Sequence, residues 1–437
     1  MKDYGRPPWG PAFGFSNKGQ LIPLPDIDGN NGFGVAIDLG TTTIAGALVD
    51  LGTGAVAGEL SLPNPQSGWG RDVVSRIDAG TKDPATLAEL KNAALAACNS
   101  LITRLASGRT DAIKKVTVAG NPAMEHLFLG ISPEPLSRVP YRPAFKEPQQ
   151  MPAREAGLEI DAALYVFPLI GGFVGGDAVA AALALGMGKA ARPVLAIDIG
   201  TNSEILLAVQ GSLFATSAAA GPAFEGGEVE RGMTAGPGAI EGMTIEGDSL
   251  KLKVIGNVAP RGICGSGLIE AAHVLLEAGI MDRSGRIKDR DEVSTNLANR
   301  IKESGDGNSF VLFRGAKGEV SLSQQDIRAL QTAKSATRAG INILLDKAGL
   351  NPEDIEKVYL AGAFGAKLSS VSLKGIGLLY EGWQNVEYVG DAALDGAVMA
   401  LGEVGRNEAG ELAGRAKYVP LSGSSRFERE FITNIGF

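Results

Sequence analysis

The sequence predicts an α/β protein built from two similar halves, and three observations predict it. One stretch occurs twice without a gap: AIDLGTTTIAGALV at residues 36–49 and AIDIGTNSEILLAV at residues 196–209. Internal repetition is an architectural signal. Short apolar runs alternate with longer stretches whose apolar residues recur at helical spacing, as strands and helices do when they pack in layers. The 60 glycines follow no Gly-X-Y period and suit the many tight turns of such a fold.

Each copy of the repeat reads as strand, tight turn, strand. An apolar run ends in a carboxylate, Asp38 or Asp198. A glycine follows, Gly40 or Gly200, and then three small polar residues: Thr41, Thr42 and Thr43, or Thr201, Asn202 and Ser203. This chemistry suits phosphate. Glycine lets backbone approach a ligand closely, consecutive turn N–H groups form an anion-binding nest, and the small side chains add donors. The aspartates repel phosphate but can position Mg²⁺, directly or through its waters, because Mg²⁺ takes one or two carboxylates and keeps several waters.

Composition sets limits on the rest. At 437 residues the chain is long enough for two or three domains. With 41 basic and 49 acidic residues the net charge is −8, which argues against a non-specific nucleic-acid surface. The two cysteines, Cys98 and Cys264, imply a reducing compartment and no disulfide framework, and they cannot supply a four-cysteine iron–sulfur cluster from this chain alone. His126 and His273 read as structural. The opening MKDYGRPPWG has no apolar signal core, and the apolar run from Ala178 to Met187 is too short to span a bilayer. The expectation is a soluble cytoplasmic protein.

Taken in order, residues 1–31 read as an irregular arm, rich in Pro, Gly, Asn and Asp. Residues 32–190 form a first half and 191–437 a second. Ala55 to Leu62 reads as a third strand beside the first repeat. A helix is expected to begin near Asp72, with Arg71, Asp72 and Arg76 as a solvated face. Pro84 to Leu105 is an amphipathic helix, with Cys98 as a small core residue. Lys115 to Asn121 is a strand ending in Gly-Asn, and Pro122 is placed to start a helix. That junction is a good place for a ligand. Glu125 and His126 follow on the helix. Residues 132–157, with six prolines, read as a connector.

Gly-rich sequence then leads into an Ala-rich helix that begins at Asp177, which is either a helix cap or a site carboxylate. Beyond the second repeat, Gly226 and Gly227 offer another backbone approach to phosphate, and Glu225 is either a general base or a surface group. Residues 228–260 carry short β runs, Ile263 to Gly279 a helix, and 282–320 an insertion with a hairpin. Ser323 caps a long helix, on which Lys334 either reaches a nucleotide or is solvated. Lys357 to Ser369 is a strand, a turn at Gly362 and Ala363, and a helix. Val386 to Gly402 repeats the strand–turn–small-residue-helix style of the Asp177 region.

Five stretches, in one order, resemble the acetate and sugar kinase, heat-shock 70 and actin superfamily. AIDLGTTT and AIDIGTNS look like its two phosphate motifs, GGDAVAAALALG and VGDAALDGA like its two connecting helices, and VYLAGAFG like its adenosine motif. The resemblance implies a two-lobed actin-like ATPase fold of duplicated ribonuclease H-like mixed sheets, with MgATP in the cleft between lobes. Gly362 and Ala363 would flank the nucleoside, Asp38 and Asp198 would hold Mg²⁺, and Asp177 would position water or an outer-shell metal ligand.

A closer resemblance covers residues 34–437. NPQ followed by GRDVVSRI, then AGNPAMEHLFLG, PLIGGFVGGD, GICGSGLIEA and QTAKSATRAGI look like the reductive activators of corrinoid proteins. It implies ATP-driven reduction of an inactive Co(II) corrinoid to Co(I) on a methyltransferase partner, and a homodimer. Such activators usually carry an N-terminal ferredoxin-like 2Fe–2S domain, whereas no cysteine precedes Cys98 here. Either that domain lies outside this sequence, or electrons come from another protein, or the activity differs. The reading adopted is a separate low-potential electron donor and no iron–sulfur cluster in this chain. The spacing of Cys98 and Cys264 does not favour the related dehydratase activators. The rival readings are a small-molecule kinase and a nucleotide-sensing scaffold without catalysis.

Overall fold

Both copies of the repeat form a strand, a three-residue turn and a strand, and each lies in a six-stranded sheet. The computed structural model describes residues 32–70, 72–305, 307–316, 318–362 and 368–437. The expected arm at 1–31 and the expected nucleoside contact at Ala363 lie outside the described residues.

The first sheet contains β1 (Phe33–Leu39), β2 (Thr43–Asp50), β3 (Val56–Pro63), β4 (Ile113–Gly120), β5 (Gln149–Pro152) and β6 (Ala163–Val166), in the order β3-β2-β1-β4-β6-β5. β2 runs antiparallel to β1 and to β3, while β4 runs parallel to β1 and to β6. β1 is buried along almost its whole length, so it reads as a continuous apolar run instead of an alternating one. Helix Pro84–Leu105 presents Leu90, Ala94, Leu95, Cys98, Leu101 and Leu105 to this core. Its start is fixed by Pro84 and by the Asp83 carboxylate, which accepts the Thr86 N–H at 2.8 Å. Gly46 in β2 is a glycine because a methyl group there would overlap the Leu101 side chain.

The connector at 132–157 is more regular than its prolines suggest. It holds two short helices, Glu134–Ser137 and Ala153–Ala156, and β5, which pairs antiparallel with β6. β5 is an edge strand, the place where a proline such as Pro152 is tolerated.

The second half begins with β7 (Val194–Asp198), β8 (Asn202–Val209) and β9 (Ser212–Ala219). Two small sheets follow: β10 (Ala239–Glu246) with β11 (Ser249–Val254) and β12 (Gly262–Ile263), and β13 (Ile301–Lys302) with β14 (Ser309–Gly315) and β15 (Gly318–Ser323). The hairpin expected in the insertion is β14–β15. Then come β16 (Lys357–Ala361), β17 (Val386–Gly390) and β18 (Ala416–Tyr418), and the second large sheet runs β17-β16-β7-β8-β9-β18. Its first five strands trace the same path as β6-β4-β1-β2-β3 in the first sheet. The duplication therefore reaches three strands beyond the repeat, with β9, β16 and β17 in the places of β3, β4 and β6. Register repeats as well: Asp38 on β1 lies opposite Ala119 of β4, and Asp198 on β7 opposite Ala361 of β16.

The described residues divide into two compact units: residues 32–191, 208–215 and 391–418, and residues 192–207, 216–390 and 419–437. Helix Ala392–Met399 groups with the first unit instead of with the second half of the chain, because it packs on helix Gly176–Ala184 through small residues. Among the described residues no helix is long and apolar enough to cross a membrane.

Candidate functional site

In the first unit, β1 ends at Leu39 and the turn at residues 40–42 delivers the chain into β2. The turn is tight: a Cβ on Gly40 would lie 2.6 Å from the Thr43 carbonyl oxygen and 3.9 Å from Oδ2 of Asp38. Two asparagines hold it. Asn64 donates its Nδ2–H to the Gly40 carbonyl at 2.9 Å and its backbone N–H to the Thr42 carbonyl at 2.9 Å. Asn121 donates from Nδ2 to the Thr41 hydroxyl at 3.0 Å, while its Oδ1 caps helix Pro122–Leu129 by accepting the Met124 N–H. The Gly-Asn junction singled out in the sequence thus braces the phosphate-type turn. Asn64 was missed there, because its NPQ context reads as loop and its partners lie 22 to 24 residues back along the chain.

The same junction meets Asp177. Helix Gly176–Ala184 has Gly175 as its N-cap residue with no side-chain cap bond, so Asp177 is not the cap. Its Oδ1 accepts the Ala178 N–H at 2.7 Å. Gly175 and Gly176 are glycines for packing reasons: a methyl group on Gly175 would overlap the Gly120 carbonyl, and one on Gly176 would overlap the Glu125 carboxyl. Glu125 is fully buried; one oxygen accepts the Gly120 N–H at 3.2 Å and the other has no hydrogen-bond partner. Burial, reinforced by the charge of Asp177, holds the Glu125 carboxyl well above the usual carboxylate range. Asp177 keeps some contact with solvent, yet desolvation pushes it up to about 6, against backbone N–H groups that favour its charged form. A neutral acid beside an ionisable one is an arrangement that can hold and exchange a proton.

In the second unit, Asp198 ends β7 and the Ile199 N–H bonds to the Ala361 carbonyl at 3.1 Å. Gly362 follows with φ of 127°, a conformation that requires glycine whatever binds there, and its carbonyl accepts the Tyr388 hydroxyl at 2.7 Å. Thr201, the counterpart of Thr41, donates its backbone N–H to Oε1 of Glu225 at 2.7 Å and its hydroxyl to the same oxygen at 3.1 Å. Asn202 opens β8 and is partly exposed. Ser203 departs from expectation. Its hydroxyl is fully buried 2.9 Å from that of Thr337 on helix Gln324–Ala348, so it ties the turn to the core instead of facing a ligand.

Other expected site residues are engaged elsewhere. Lys334 is buried, and its ammonium bonds to the carbonyls of Asn434 and Gly436. It thus holds the C-terminal segment, which corrects the solvated reading. Gly226, with φ of 82°, packs against Met233, where a Cβ would lie 2.7 Å from the carbonyl oxygen, and Gly227 packs against Pro222. Arg76, expected on a solvated face, is fully buried: Nε donates to the Gly70 carbonyl at 2.9 Å, Nη1 contacts Met124 Sδ at 3.3 Å, and Nη2 has no partner. Desolvation pulls its guanidinium down to about 10. Cys98 is buried in the core and its thiol is pushed up to about 12, which makes it inert. His126 is structural, with Nδ1 bonded to the Pro122 carbonyl at 2.6 Å and Nε2 accepting the Ala144 N–H at 2.9 Å.

Comparison with known proteins decides the family. A family model described as the C-terminal domain of RACo, the ASKHA domain, matches residues 192–437, and one described as the RACo middle region matches residues 33–190. The chain belongs to the RACo family. Its fold is accordingly the ASKHA fold, the duplicated mixed-sheet architecture described above. RamQ, a corrinoid activation enzyme of Eubacterium limosum, is 32% identical over 421 residues, which cover 93% of this RACo-family chain and 70% of RamQ. A Co(II) methylated amine-specific corrinoid protein reductase of Methanosarcina barkeri is 24% identical over 298 residues, covering 61% of the chain and 51% of that protein. Among solved structures, a reductive activator for corrinoid, iron–sulfur protein superposes with a TM-score of 0.83 at 37% identity, covering 93% of this chain and 66% of that one. The chain therefore spans between about half and 70% of the length of these relatives.

Proposed function

We propose that this chain is an ATP-dependent reductive activator of a corrinoid protein. It would couple MgATP binding and hydrolysis to the one-electron reduction of an inactive Co(II) corrinoid to Co(I) on a methyltransferase partner. The electron would come from a separate low-potential donor protein, which is oxidised by one electron in turn. The observation that carries the reading is the pair of carboxylate–glycine turns at equivalent registers, Asp38 with residues 40–42 and Asp198 with residues 199–201, in a chain of the RACo family.

The turn residues fit MgATP. Both turns would present backbone N–H groups and small polar side chains to phosphate oxygens, the second once Glu225 releases Thr201. Among the described residues no group of three or more His, Cys, Asp or Glu could hold a metal by itself. Mg²⁺ takes one or two carboxylates and fills its shell with water and phosphate oxygens. Asp38 and Asp198 would hold it, and the ion would neutralise developing charge on the phosphates. Asp177 would orient the attacking water, with Glu125 beside it as a neutral acid. Gly362 would lie beside the nucleoside.

Coupling needs a difference in affinity. A nucleotide can bias a partner only if the protein's ATP and ADP states bind the partner's conformations unequally. The ATP-bound chain would favour the partner conformation whose Co(II) is easier to reduce, and turnover would release it. Calorimetry with ATP and ADP tests the first step: Mg²⁺-dependent binding is expected, and its absence from folded protein removes the reading.

A further inference from the structure

We propose that the Glu225 carboxylate and a bound phosphate compete for the Thr201 backbone N–H, so that Glu225 sets how readily the second turn accepts its ligand. This deepens the reading of that turn as phosphate-binding and rests on it.

The two turns carry threonine at the same position, and each threonine is held by a side chain from outside the turn. At Thr41 the holder is the neutral amide of Asn121, which donates to the hydroxyl at 3.0 Å. At Thr201 it is a carboxylate oxygen that takes both the backbone N–H, at 2.7 Å, and the hydroxyl, at 3.1 Å. The same oxygen lies 3.3 Å from where a Cβ on Gly200 would stand, against the glycine face that a ligand would approach. An anionic oxygen accepting a turn N–H and a neighbouring hydroxyl is the contact a phosphate oxygen makes in a nest. Glu225 thus imitates the ligand.

Two anions cannot share these donors without strong repulsion, so one must leave. The surroundings make Glu225 able to leave. It ends a short turn, Pro222–Glu225, whose exit is fixed by Gly226 against Met233 and Gly227 against Pro222, so the backbone stays while the side chain swings. The side chain is only partly buried, and among the described residues no Lys, Arg or His forms an ion pair with it.

The test compares wild type with Glu225→Gln and Glu225→Ala in titrations with MgADP and, separately, with inorganic phosphate. Removing a charged acceptor should tighten both ligands by about tenfold, more for Ala than for Gln, which keeps a neutral acceptor. Unchanged or weaker affinity in folded variants overturns the proposal and makes Glu225 a brace of the turn. Hydrogen exchange of ligand-free protein supplies a second readout: Glu225→Ala should speed exchange at the Thr201 amide, and an unchanged rate overturns the proposal too. Phosphate binding that tightens without any MgADP binding supports the competition and rejects the nucleotide assignment. No binding of either ligand to any of the three proteins rejects both.

Discussion

Gly396 lies on the backbone of Ala180 so closely that a methyl group at 396 would overlap the Ala180 carbonyl oxygen. The contact joins helices Ala392–Met399 and Gly176–Ala184, the two small-residue helices, within one unit. Small residues serve here to let two backbones meet.

Gly396→Ala is therefore expected to destabilise the protein by about 1–3 kcal/mol, the usual cost of overpacking. Helix propensity alone gives the opposite sign, a gain of about 1 kcal/mol for Gly→Ala. Gly410, in helix Glu403–Arg415, is the control, because a Cβ there meets nothing within 4 Å. Thermal denaturation should show a lower midpoint for Gly396→Ala and an unchanged or higher one for Gly410→Ala.

Glu125 makes stability depend on pH. Its carboxyl is held well above the usual range when folded, so between the unfolded and folded values the native state holds the extra proton and stability falls as pH rises. Asp177 has the same sign, from 3.8 to about 6, after which its contribution is constant. One such proton can contribute a slope of up to about 1.4 kcal/mol per pH unit. Glu125→Gln keeps an acceptor for the Gly120 N–H and removes the titration. Urea unfolding should show the variant gaining on wild type as pH rises above the usual carboxylate range. A constant difference would mean that Glu125 is already ionised in the native state.

Asp177→Asn should lower ATP turnover by more than tenfold while changing ATP affinity by less than about threefold, since the proposed role is to orient water and not to bind nucleotide. Wild-type turnover should fall as pH drops below about 6, where Asp177 takes up a proton. The residual turnover of the variant should lack that limb. Equal losses in affinity and turnover would place Asp177 in binding instead.

Lys334→Met should loosen the C-terminal segment, because the carbonyls of Asn434 and Gly436 lose their ammonium partner. Faster hydrogen exchange across residues 425–437 with unchanged nucleotide affinity is the expected pair of results. A loss of nucleotide affinity with normal exchange would support the nucleotide contact read from the sequence.

What the sequence made legible was local or repeated. The strand–turn–strand copies, the cap at Ser323 and the helix starts at Pro84 and Pro122 all depend on neighbouring residues, and the structure has them where the pattern places them. Burial of polar residues was not legible. Arg76 and Lys334 sit at positions that a helical wheel leaves ambiguous, and only tertiary packing encloses them. Ser203 shares its motif with exposed donors, but its hydroxyl turns inward to Thr337, 134 residues away in sequence. Glu225 and Asn64 reach the turns from loops, and nothing in their local sequence says which backbone group each will hold.

ATP-driven production of Co(I) is measured directly. The protein is mixed with a Co(II) corrinoid protein, MgATP and a low-potential reductant, with a 2Fe–2S donor protein supplied, and the Co(I) absorbance is followed. ATP-driven activation predicts Co(I) that forms only when the protein and ATP are both present, and less of it with Asp177→Asn. No Co(I), or the same amount without ATP, would contradict it.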